Sequence, residues 1–72
     1  SAPPLPFRFL GRVAGAEGGA RPEAVFLAAG QEVLRVKAGD TLLGQYRVDA
    51  LEPGAVRLTY LPLNQQQSLL LH

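Results

Sequence analysis

The chain has no cysteine, methionine or tryptophan, and a single histidine, His72. Without cysteine, neither a disulfide framework nor a thiolate metal site can form, so apolar burial has to hold the fold. A lone histidine at the extreme C-terminus is poor material for a general base, which must be held within hydrogen-bond reach of the group it serves. Charge of one sign is lacking too. Seven Lys and Arg stand against six Asp and Glu, a net charge of +1, whereas a nucleic-acid module usually carries a basic excess that neutralises phosphates. No apolar run approaches the roughly 18 residues of a membrane-spanning helix.

The acids are equally uninformative as chemistry. Glu17, Glu23, Glu32, Asp40, Asp49 and Glu52 are scattered, with no Asp-x-Asp or Glu-x-x-His spacing to suggest a calcium loop or a zinc site. A triad of Ser68 and His72 with Asp40 or Asp49 can be written down, but no nucleophile elbow or oxyanion loop accompanies it. The glycines between Gly11 and Gly19 lack the Gly-Lys-Ser/Thr ending of a phosphate loop, and no helical pattern follows them. The expectation is therefore a protein that is not an enzyme and takes no cofactor.

What is present is strand. The chain is 72 residues long and 47% hydrophobic, enough for one domain near the lower size limit for folding without staples. Residues 1–6 hold Pro3, Pro4 and Pro6 and read as the end of an extended linker, with a single β domain over 7–71. Phe7, Phe9, Gly11 and Val13 alternate with Arg8, Leu10, Arg12 and Ala14, a first strand with an aromatic face. Gly15 to Pro22 reads as a loop. Glu23 to Ala29 forms a second strand, apolar on both faces through Val25, Phe26 and Leu27, and Gly30 supplies a turn with positive φ. On a third strand Glu32, Leu34 and Val36 face away from Val33, Arg35 and Lys37.

The third strand ends at the corner Ala38-Gly39-Asp40-Thr41. There Asp40 is expected to accept backbone N–H groups as Asx-turn residues do, with Leu42 or Leu43 feeding the core. A fourth strand starts near Gln45, with Tyr46 and Val48 opposite Arg47 and Asp49. Pro53-Gly54 predicts a type II turn with positive φ at the glycine. Val56, Leu58 and Tyr60 alternate with Arg57, Thr59 and Leu61 on a fifth strand that Pro62 stops. Gln65 to Gln67 predict a turn or the entry to an edge strand, and 67–71 a sixth strand with Leu69 and Leu71 on one side. Phe7, Phe9, Phe26, Tyr46 and Tyr60 are expected to fill the core, leaving the arginines on a solvated face. The fold class is all-β: a small sandwich or partly open barrel of two three-stranded antiparallel sheets.

The succession Phe-Leu-Gly-Arg-Val (9–13), Ala-Val-Phe-Leu (24–27), Val-Leu-Arg-Val-Lys-Ala-Gly-Asp (33–40), Tyr-Arg-Val-Asp-Ala-Leu (46–51) and Val-Arg-Leu-Thr-Tyr (56–60) resembles a known domain. It is similar to the periplasmic homology-region domain of the C protein of type II secretion systems, and to the periplasmic domain of the type IV pilus P lipoprotein. The resemblance covers residues 7–61 and rests on the order and spacing of short motifs. It implies two small packed antiparallel sheets and a non-catalytic docking role in the periplasm. Tethering to the inner membrane would come through a segment that this chain does not contain. The implied partners are the N-terminal domain of the outer-membrane secretin and other inner-membrane secretion components. The contact it implies lies on the first strands: Arg12, Val13 and Ala14, with Glu23, Ala24 and Val25. Gly39 and Asp40 are left as a structural corner. The alternative is a small β-barrel that binds nucleic acid.

Overall fold

The structure, a computed structural model, describes residues 4–15 and 21–71. They form seven strands: β1 (Phe7–Ala14), β2 (Pro22–Ala29), β3 (Glu32–Val36), β4 (Thr41–Leu42), β5 (Tyr46–Glu52), β6 (Ala55–Tyr60) and β7 (Gln65–Leu70). No helix occurs among the described residues. The strands make two antiparallel sheets, ordered β1-β2-β3 and β4-β5-β6-β7, which do not close into a barrel. The second sheet thus has four strands where three were expected. The additional one, β4, is only two residues long, too short to show an alternation that sequence could reveal.

The core lies between the sheets. Phe7, Val25, Leu27 and Val36 from the first meet Leu42, Tyr46, Val48, Leu51, Val56 and Leu58 from the second. Tyr46 sits at its aromatic centre. Its ring meets Phe7 edge-on with centroids 5.1 Å apart, and meets Tyr60 in a tilted pair at 5.2 Å. Edge-to-face geometry suits rings whose faces are electron-rich and whose edges are not. Leu5, ahead of β1, also packs against this core. Residues 1–3 and 16–20, and the terminal His72, lie outside the described residues, so much of the linker and of the loop after Gly15 does too.

Four turns show why the strands stop where they do. Ala29 pairs with Glu32, leaving a two-residue hairpin in which Gly30 has φ 63°, the first central position of a type II′ turn. The chain re-enters the second sheet through Leu43 and Gly44, both left-handed at φ 54° and 69°, closed by Gln45 N–H donating to the Leu42 carbonyl at 3.0 Å. Pro53-Gly54 joins β5 to β6, but Gly54 is not among the positive-φ residues, so this turn is not type II. Proline at the first central position is compatible with types I and II alike, and the sequence could not separate them. After Pro62 the chain turns back through Asn64, at φ 51°, and β7 starts two residues before Gln67. The glutamine run is thus an edge strand.

Leu43 is a β-carbon residue in a region that glycine or asparagine occupies at lower cost, and its side chain is 52% exposed. Leu43→Asn is therefore expected to raise stability by about 0.5–1 kcal/mol, read as a higher midpoint in urea at unchanged slope.

Candidate functional site

β1 is the first place where tertiary pairing overrides the alternation. Phe9 pairs with Leu27, but the next pair is Gly11 with Phe26, so Leu10 is an extra residue in a β-bulge. An extra residue turns every later side chain on that strand to the opposite face. Arg12 then pairs with Val25 and faces the core side, while Val13 pairs with Ala24 on the outer side. The expectation that Val13 shares the face of Phe7 and Phe9 is corrected accordingly. Phe26 is likewise corrected: it lies on the outer face of its sheet and is only half-buried.

This geometry brings the expected contact residues together at one end of the first sheet and separates their roles. Ala24 and Val25 are 0% exposed and lie on the central strand, so neither their side chains nor their backbone groups reach the surface. Arg12, Val13 and Ala14 lie on β1, an edge strand. Arg12 bends over the Phe9 ring, its guanidinium carbon 5.4 Å from the centroid, and its Nη1 donates to the Pro53 carbonyl at 3.3 Å. It clasps the first sheet to the β5–β6 turn. Glu23 is exposed and lines, with Ala38 and Asp49, a shallow depression of about 190 Å³.

Gly39 and Asp40 act as a corner. Lys37 N–H donates to Asp40 Oδ2 at 2.9 Å, and Asp40 N–H donates back to the Lys37 carbonyl at 3.1 Å. Gly39 N–H donates to the Val48 carbonyl and Val48 N–H to the Asp40 carbonyl, each at 2.8 Å. With φ at 94°, Gly39 occupies a conformation open to glycine and strained for other residues. The corner is thereby tied to β5, and it is Leu42 that enters the core, while Leu43 stays outside.

The outer face of the second sheet is polar and internally paired. Arg47 Nε donates to Asp49 Oδ1 at 2.9 Å, the Thr59 hydroxyl donates to Asp49 Oδ2 at 2.5 Å, and Arg57 approaches Glu52 at 3.8 Å. The Thr59 hydrogen bond, followed by that of Arg47, holds the Asp49 carboxyl below its ordinary value of 3.8. A depressed carboxyl pKa adds stability that is present above the unfolded value and disappears as pH falls through the folded one. Thr59→Val is expected to move the Asp49 carboxyl titration upward and to cost about 1 kcal/mol at neutral pH. Carboxyl-carbon NMR titration and urea unfolding read the two effects, and an unmoved titration would remove Thr59 as the cause.

The outer face of the first sheet is different. Cross-strand neighbours share a face, so Arg8, Ala28 and Val33 form one row, and Gly11, Phe26 and Arg35 the next. Val33 is 64% and Leu10 47% exposed. A sign of this face was present in the sequence: β2 is apolar on both sides, and in a two-sheet protein only one of them can meet the other sheet. No protein-family model, curated protein or solved structure matches the chain.

Proposed function

We propose that this domain is a non-catalytic docking module of a bacterial envelope machine, of the homology-region kind found in type II secretion and its pilus counterpart. In this reading it works in the periplasm, tethered to the inner membrane through a segment outside this chain. It binds the N-terminal periplasmic domain of the outer-membrane secretin.

The observation that carries the reading is β1 itself, an edge strand of one of two small antiparallel sheets. An edge strand presents backbone N–H and C=O groups that a partner strand can pair with. Val13 and Ala14 offer it small side chains beside them, and the Arg12 clasp holds that end of the strand in place. A domain of this size can bury only a modest interface, which suits transient docking.

Titrating the isotopically labelled domain with a secretin N-terminal domain is expected to shift the amide resonances of β1, strongest at residues 12–14. Unchanged spectra at millimolar concentrations would refute the reading.

A further inference from the structure

We infer that the outer face of the β1–β2–β3 sheet is a docking surface for an acidic amphipathic helix of a partner protein. This surface is separate from the β1 edge and does not depend on the partner proposed above.

Three observations converge on it. The first is apolar exposure. Val33, 64% exposed, is the most exposed large hydrophobic side chain among the described residues, and Leu10 is 47% exposed. Val33 stands on the strand beside the half-buried Phe26, and Leu10 is the bulge residue next to Gly11, the partner of Phe26. Exposed apolar side chains gathered on one face, as opposed to scattered singly, mark interaction sites.

The second is charge. Arg8 and Arg35 stand on this face by register, and no carboxylate occurs among its paired residues. Glu32 pairs with Ala29, on the opposite side of the sheet. Among the described residues neither arginine makes an ion pair, whereas Arg47 and Arg57 on the second sheet each have a carboxylate partner. Among the described residues the two outer faces are thus built differently: one is neutralised, the other cationic. Complementary charge around an apolar centre is what sets partner choice at an interface.

The third is shape. Ala24 and Ala28 are buried on either side of Phe26 on the central strand, while Arg8 and Arg35 stand on the two outer strands. Three strands spaced about 4.8 Å apart match the width of one helix, about 10 Å. An apolar sheet face is covered either by a helix or by another sheet. Arginines on the two outer strands, with apolar side chains between them, match a helix that carries carboxylates on both flanks of an apolar stripe. The helix would lay leucine-type residues at i, i+3, i+4 and i+7 onto Phe26, Val33 and Leu10. Its flanking glutamates would reach Arg8 on one side and Arg35 on the other, where bidentate carboxylate pairing is available to arginine.

The test uses two synthetic helical peptides with the same leucine stripe, one flanked by glutamate and the other by lysine, each titrated into the labelled domain. The glutamate peptide is expected to shift the amides of 24–28 and 33–35. It should bind about tenfold or more tightly than the lysine peptide at low salt, and weaken as salt is raised. The double variant Arg8→Glu/Arg35→Glu is expected to invert that preference. Should it fail to fold, Arg8→Gln/Arg35→Gln is expected to abolish the preference.

Equal binding of the two peptides, or shifts confined to other faces, would overturn the inference. So would binding to phosphatidylglycerol vesicles, or to an oligothymidylate, with no binding to either peptide. The first of these would make the face a membrane surface and the second a nucleic-acid surface. Failure of the secretin titration leaves this result untouched, because that experiment reads β1 at residues 12–14.

Discussion

Replacing Tyr46 by alanine is expected to unfold the domain at room temperature or to lower its melting temperature by more than about 12 °C. The residue is 2% exposed and stands between Phe7 of one sheet and Tyr60 of its own, so removing its ring leaves a void at the seam of the sandwich. Aromatic-to-alanine changes in a core cost about 3–5 kcal/mol. At about 0.05–0.15 kcal/mol per residue, a chain of 72 residues has about 4–11 kcal/mol in total, so this one loss removes about a quarter of it or more. Each kcal/mol is worth about 4–8 °C in a domain this small. Tyr46→Phe keeps the ring and both aromatic contacts, and is expected to stay folded. Thermal unfolding followed by near-ultraviolet circular dichroism checks both variants. A fall of less than about 5 °C for alanine would show that the two sheets do not depend on this ring.

Leu27→Ala is expected to cost about 2–5 kcal/mol, while Val33→Ala changes stability by less than about 0.5 kcal/mol. The two residues lie on adjacent strands, and both are large aliphatic side chains. Leu27 is among the largest fully buried side chains, whereas Val33 projects from the other face of the sheet. The difference tests the assignment of faces directly. If Val33→Ala cost as much as Leu27→Ala, the outer face would be covered within the domain, and the docking inference would fall with it. Urea unfolding of both variants under identical conditions is sufficient.

Most of the strand content was legible because a strand exposes its two faces at alternate residues. Where β3 and β6 alternate cleanly, as in Val56, Leu58 and Tyr60 against Arg57 and Thr59, the faces read from sequence are those in the structure. Gly30 and Gly39 were legible for a related reason, since each takes the positive φ that glycine allows. Gly54 was not, because the proline before it serves two turn types equally well. β4 could not be read at all: its two residues are a strand only because Leu42 pairs with Tyr46 across a left-handed turn.

The candidate contact surface was legible as a neighbourhood, not as a set of exposed side chains. Arg12, Val13 and Ala14 do lie beside residues 22–25, as two adjoining strands would place them. Which of them face outward was decided by the bulge at Leu10, and a bulge leaves no mark on the alternation of Phe7, Phe9, Gly11 and Val13. Asp49 is a second instance. Val48 pairs with Leu58 and Ala50 with Arg57, so the ladder skips Asp49. Leu51 then joins the core although two-residue counting from Val48 would have chosen Ala50.

By itself the sequence determined the class of fold, the strands long enough to alternate, the role of Gly39 and Asp40 as a corner, and the near-balance of charge. These are local properties, set by side-chain period, by the backbone preferences of glycine and proline, and by composition. Only the tertiary structure decided the register, and with it the face on which each residue after a bulge appears. Register depends on which hydrogen bonds the neighbouring strand supplies, and that partner is far away along the chain. For the same reason the pairing of Arg47 and Arg57 with carboxylates, and the lack of such a pair at Arg8 and Arg35 among the described residues, became visible only once the strands were set side by side.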